Sequence, residues 1–135
     1  MNGSYVVRTM NEHTLPAEIR IPTTAGDFRL FRLEQGVLTL KPGGRFTLYF
    51  RYYHQLVRRG ARPTPTPVLS ESETGTYRFH RDSLLLSPAR KDGARSQPSI
   101  AATLIGDEIK ASYVLMDRTL HYRVTLVLRR DLSFW

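Results

Sequence analysis

Cysteine is absent from this 135-residue chain, and its absence excludes disulfide frameworks, cysteine-ligated zinc and thiol catalysis. No apolar run approaches the ~20 residues that a membrane-spanning helix requires. No segment carries an apolar stripe at helical spacing over successive turns, so helices are not expected. Lysine is scarce as well: the basic side chains are 17 arginines against 3 lysines. The start, Met1-Asn2-Gly3-Ser4-Tyr5-Val6-Val7-Arg8, lacks the charged, apolar and small-residue regions of a secretory signal. That favours a cytoplasmic protein, free or peripheral to a membrane. A signal removed ahead of Met1 would make it periplasmic.

What is present is ordinary globular composition, 41% hydrophobic and 24% charged, in a length that suits one domain with a real core. The net charge of +8 favours an anionic partner: an acidic protein face, nucleic acid or anionic lipid headgroups. Arginine adds planar, bidentate contacts that lysine cannot make. An arginine-favouring genome accounts for the same composition without any partner.

Strand-type alternation dominates the chain. Val37-Leu38-Thr39-Leu40 leads through Lys41-Pro42-Gly43-Gly44 into Arg45-Phe46-Thr47-Leu48-Tyr49-Phe50-Arg51-Tyr52. Phe46, Leu48, Phe50 and Tyr52 share one face and Arg45, Thr47, Tyr49 and Arg51 the other, which predicts a hairpin with one side buried. Pro42 presets φ for the turn and the glycines supply positive φ. Similar strand–turn–strand patterns cover 75–86, 100–115 and 120–129, where Tyr122, Val124, Leu126 and Leu128 alternate against Arg123 and Thr125. Residues 5–9, 18–21 and 27–33 are weaker strand candidates. The expected fold is all-β: eight to ten short strands in an antiparallel up-and-down meander, closed into a barrel that leaves no open edge. Residues 1–135 then form one domain. An exposed basic and proline-rich loop falls at about 58–74, because Pro63, Pro65 and Pro67 cannot sit in a central strand. A second polar loop runs from 87 to 98.

The order of these features resembles small bacterial lipocalin-like domains. The resemblance rests on Tyr5-Val6-Val7-Arg8-Thr9, Thr14-Leu15-Pro16, Gly36-Val37-Leu38-Thr39-Leu40, Gly43-Gly44-Arg45-Phe46-Thr47 and Gly75-Thr76-Tyr77, with the strands at 109–115 and 121–129. It implies a small β-barrel, commonly without enzymatic role, with an interior suited to an apolar ligand. The chain departs from lipocalins in having no Gly-x-Trp near its first strand; its one tryptophan is Trp135.

Catalytic patterns are wanting. His13, His54, His80 and His121 form no HxH, HxxxH or HExxH spacing, so no metal ligand set is expected. There is no GxSxG, and Gly43-Gly44 lacks the Lys-Ser/Thr and helix of a phosphate loop. Glu71 and Glu73 fall in a Ser/Glu/Thr stretch where acids are ordinarily solvated. No enzyme and no cofactor is expected.

The suggestive constellation is Tyr49, Arg51, Tyr53, His54, Arg58 and Arg59, with Arg62 following in the proline loop. Tyr49, Arg51 and Tyr53 would share the outward face of one strand. Aromatics interleaved with arginines are favoured in protein–protein hot spots and can also stack on bases and neutralise phosphates. Ordinary decoration of an exposed sheet explains them too. The tail ends in Phe134-Trp135, which either tucks back or anchors at an interface. The expectation is a non-catalytic accessory or assembly subunit that docks on an acidic protein partner through Tyr49, Arg51, Tyr53, Arg58, Arg59, Arg62, Phe134 and Trp135. The membrane face of a larger respiratory or photosynthetic complex is one setting for it. A carrier of a small apolar ligand is the first alternative. A single-stranded nucleic-acid binder is the second and ranks lower, because the basic residues are spread over the chain rather than gathered in one groove.

Overall fold

The computed structural model describes residues 3–22, 27–58, 60, 67–89, 98–116 and 121–131. Ten strands are present: β1 (Gly3–Met10), β2 (His13–Thr14), β3 (Ala17–Pro22), β4 (Phe28–Lys41), β5 (Arg45–Val57), β6 (Leu69–His80), β7 (Ser83–Pro88), β8 (Ile100–Ile105), β9 (Glu108–Met116) and β10 (His121–Arg130). From β4 to β10 each strand pairs antiparallel with the next, and β1 pairs with both β10 and β4. This closes an eight-stranded up-and-down barrel and leaves β2 and β3 as additions.

Closure is shared between two strands. β1 lies against the later half of β4, from Gly3 opposite Leu40 to Val6 opposite Val37. Beyond Val6 it bulges against β10 between Val7 and Thr9 and turns back through β2. β4 has its own bulge between Leu33 and Gln35, after which β3 takes the place of β1, with Ala17 opposite Leu33 and Pro22 opposite Phe28. A bulge adds one residue to a strand and bends it. Here the first half of β4 pairs with β3 and with the end of β5, as a flap in which the residues of β5 beyond Tyr52 have no β6 partner. Residues 27–33 and 37–40, separate strand candidates in the sequence, are therefore one strand.

Alternation along the strands fills the interior. Tyr5, Phe46, Met10, Leu38, Leu40, Leu84, Leu86, Ile109, Leu128 and Val124 are the largest fully enclosed side chains, within one continuous core. Phe50 on β5 and Tyr113 on β9, from opposite walls, meet with ring centroids 5.0 Å apart. Each such side chain contributes about 1.5–3 kcal/mol by leaving water. Among the described residues no polar or charged residue is buried. Arg51, Arg78, Lys110 and Arg123 face out, the reverse of a barrel whose lipid-facing band is apolar.

Tight turns close one end. Gly43 and Gly44 hold φ of 80° and 72° between β4 and β5. The Tyr77 N–H donates to Gly44 O at 2.8 Å and its phenol to Lys41 O at 3.0 Å, which fastens that turn to β6. The exposed segment expected at about 58–74 is replaced in its last part by β6, since residues 69–74 pair with β5 from Tyr52 to Thr47. Glu71 and Glu73 therefore belong to a strand, not a loop, and lie opposite Phe50 and Leu48 on its inward side. Among the described residues no helix is long and apolar enough to cross a membrane.

Candidate docking interface

Successive residues of a strand point to opposite faces, so β5 divides its side chains cleanly. Phe46, Leu48 and Phe50 go into the core; Tyr49, Arg51 and Tyr53 go out. The three expected to share an outward face do so. Register with β4 and β6 gives each its neighbours: Val37 and Ser72 beside Tyr49, Gln35 and Ser70 beside Arg51, Arg32 beside Tyr53. The Tyr49 hydroxyl shares a hydrogen bond of 3.2 Å with the Ser70 hydroxyl. Arg51 is exposed and makes no ion pair among the described residues.

The face extends over β4 and β3 with residues that sequence reasoning missed. The Arg32 guanidinium lies 5.9 Å from the centre of the Tyr53 ring, and Arg20 lies 5.2 Å from that of Phe28. Arg32 is also held by Glu18, whose carboxylate accepts a hydrogen bond at 3.3 Å. Glu34 comes within 3.0 Å of its Nε but off the line of the N–H, so that pairing is electrostatic only. Two carboxylates thus offset Arg32 and hold it over Tyr53, while Arg20 and Arg51 keep their charge available. These neighbours were hidden in the sequence because they depend on cross-strand register, and the bulge before Gln35 breaks the alternation that would have revealed the outward side of β4.

His54 stands apart from this group. It is on the inward side of β5, its ring 6.2 Å from that of Tyr52, which in turn stacks on Phe31 at 5.3 Å. Phe31 and Tyr52 pack against the core, while Leu56 farther along β5 remains 44% exposed. Burial, then the nearby charge of Glu71 and a hydrogen bond to it, push the Tyr52 phenol well above the ordinary tyrosine range. Arg58 follows the end of β5 and is exposed. Arg59, Arg62, Phe134 and Trp135, also expected in the interface, lie outside the described residues.

Among the described residues no group of three or more histidine or carboxylate side chains gathers to hold a metal. What the outer face can do is recognise: rings supply apolar area at low entropic cost, and guanidinium groups already positioned over rings lose little freedom on binding a carboxylate. Comparison with protein-family models, with curated proteins and with solved structures finds no match.

Proposed function

We propose that the protein is a non-catalytic docking module, an accessory subunit that binds an acidic surface of a larger protein assembly through the outer face of β3, β4 and β5. The observation that carries this reading is the outward row Tyr49, Arg51 and Tyr53 on β5, extended by Arg32 over Tyr53 and Arg20 over Phe28. Tyrosine and arginine are the residue types that dominate binding energy at protein interfaces, and uncompensated cations steer an acidic partner into place. A membrane-associated complex is a suitable partner, since its exposed rims carry protein carboxylates and anionic headgroups together.

Affinity purification from the native host tests it. Wild-type protein recovers a larger assembly in fixed ratio, and the Tyr49→Ala/Arg51→Ala variant loses that assembly while melting within about 2 °C of wild type, because both side chains are on the solvent side. Recovery of the wild type alone, or unchanged recovery by the variant, refutes the reading.

A second reading, carriage of an apolar ligand, draws on the inward side of the flap, where His54 and Leu56 are exposed beside Phe31 and Tyr52, which are only partly buried against the core. The Phe50–Tyr113 contact occupies the barrel at its middle, so such a ligand would sit at the flap rather than deep inside. An apolar compound in stoichiometric amount in an organic extract decides for it.

A further inference from the structure

The wall away from the β3–β5 face carries a groove of about 770 Å³ on the outside of the barrel, lined by residues of β6, β7, β8, β9 and β10. Its shape follows from register. His80, Ser83, Thr103 and Lys110 are consecutive cross-strand neighbours, large, small, small, large. In the next row Arg78 stands beside Leu85 and Leu85 beside Ala101. The strands under the middle of the groove thus bear short side chains at Ser83, Thr103 and Ala101, with Leu85 the one larger residue, while long ones rise on β6 and β9. Adjacent strands lie about 4.8 Å apart, so the two rims are separated by about 14 Å of curved wall.

Charge is one-sided. Arg78 and His80 form one rim and Lys110 the other, and no carboxylate lines the groove. Among the described residues none of the three has an ion-pair partner. Beyond Lys110, Arg123 donates to the Ser112 hydroxyl at 2.7 Å, which places a further guanidinium beside the trough. The floor between the rims offers the hydroxyls of Ser83 and Thr103 among the methyl groups of Ala101 and Leu85, and Ser112 and Thr125 continue the lining past Lys110.

From this geometry we infer a second recognition site, a trough that takes an extended acidic segment of a partner protein. Rims about 14 Å apart cannot converge on one phosphate or carboxylate. An extended chain reaches both, because its alternate side chains diverge to either side at about 7 Å intervals along one edge. Its acidic side chains meet Arg78 on one rim and Lys110 on the other, while its backbone lies over the hydroxyl-bearing floor. None of the residues of the β3–β5 face takes part, so either site stands or falls without the other.

Fluorescence anisotropy with a labelled peptide of repeating Glu-Glu-Thr-Thr, in which adjacent glutamates point to opposite rims, tests the assignment on the whole chain. Wild type binds the peptide. Arg78→Glu/Lys110→Glu weakens binding by about tenfold or more. Lys41→Glu/Arg130→Glu, which reverses the same amount of charge at exposed positions about 11 Å or more along the wall from either rim, changes it by less than about twofold. Ala101→Trp fills the floor with no change of charge and also abolishes binding. Should a reversed variant fail to melt cooperatively, Arg78→Gln/Lys110→Gln replaces it, with about a threefold loss expected. Absence of binding, equal losses in the two charge-reversed pairs, unimpaired binding by Ala101→Trp, or equal competition by tripolyphosphate or oligothymidylate would each overturn the inference.

Discussion

Gly75 sits in β6 between Phe46 of β5 and Pro88 of β7. A Cβ atom there would fall on the Ser87 carbonyl oxygen and within 2.8 Å of both the Pro88 Cα and the Phe46 ring. Two of these obstacles are backbone, which no change of rotamer can move, and Phe46 is only 1% exposed, with nowhere to retreat. Gly75→Ala must therefore push β7 away from β6 and loosen the pairing of Tyr77 with Leu86 and Arg78 with Leu85 that follows. Overpacking costs about 1–3 kcal/mol where side chains can adjust. With backbone in the way, the upper end or more is expected, about 3 kcal/mol. A domain of this length loses about 0.28 kcal/mol of stability per degree near its midpoint, so Tm falls by about 10 °C.

Gly43→Ala makes the matched control. Its Cβ meets nothing within 4 Å, but its φ of 80° is left-handed, and the cost is about 1 kcal/mol, or about 4 °C. Thermal unfolding followed by circular dichroism, with urea titration for the m-value, measures both variants. If Gly75→Ala melts within about 3 °C of wild type, or above Gly43→Ala, the packing of β6 against β7 is not as described.

Three further variants probe the fastening of the first hairpin and the titration of Tyr52. Asn11, at φ 50°, accepts a hydrogen bond through Oδ1 from the Thr125 N–H at 2.9 Å, so Asn11→Ala loses both an acceptor and a residue at ease in that conformation, at about 2 kcal/mol. Asn11→Gly loses only the acceptor, about 1 kcal/mol; equal losses by the two in urea titration would remove the backbone contribution. The Tyr52 phenol is held protonated above its ordinary 10.0 by burial and by Glu71, so above that pH the unfolded chain releases a proton that the folded one keeps. Its stabilisation is complete below about pH 10 and is lost as pH rises further. Tyr52→Phe accordingly shows a shallower alkaline decline of stability than wild type, and an identical decline would refute the assignment. Tyr5, also raised chiefly by burial, contributes equally to both proteins.

Much of the barrel is legible in the sequence because alternation reports a filled interior. Phe46, Leu48 and Phe50 on β5, like Val124, Leu126 and Leu128 on β10, face a packed core while their neighbours face outward, so polarity alternates along each strand with Val127 as the exception. Legibility fails where that contrast fades. In β4, Arg29-Leu30-Phe31-Arg32-Leu33-Glu34 lies in the flap, half-covered on both sides, and the bulge then resets which parity points inward. Residues 69–74 have a loop's composition, and only the backbone pairing offered by β5 makes them a strand. The outward row of Tyr49, Arg51 and Tyr53 could be read from a single strand. Its neighbours Arg20 and Arg32 could not, because nothing local encodes which residue of β3 or β4 lies alongside.

The same distinction bears on where function resides. Buried side chains line the barrel from Phe46 and Ile109 near the tight turns to Phe50 and Tyr113 above them, and the charged and hydroxyl-bearing side chains of the two basic surfaces are on the outside. There, charge and ring are not scattered evenly. On β3 to β5, arginines lie over aromatic rings, and carboxylates are admitted only where they hold Arg32. On β6 to β9, short side chains make a trough whose rims are cationic. A meander places these surfaces on separate walls of one rigid cylinder, because three strands around a closed eight-stranded circuit is more than a quarter turn. A rigid spacer that presents two basic surfaces in different directions is suited to hold two acidic elements of an assembly at fixed separation. That capacity requires closure of the barrel and a packed core, which the β1–β4 pairing and the alternation of the strands supply.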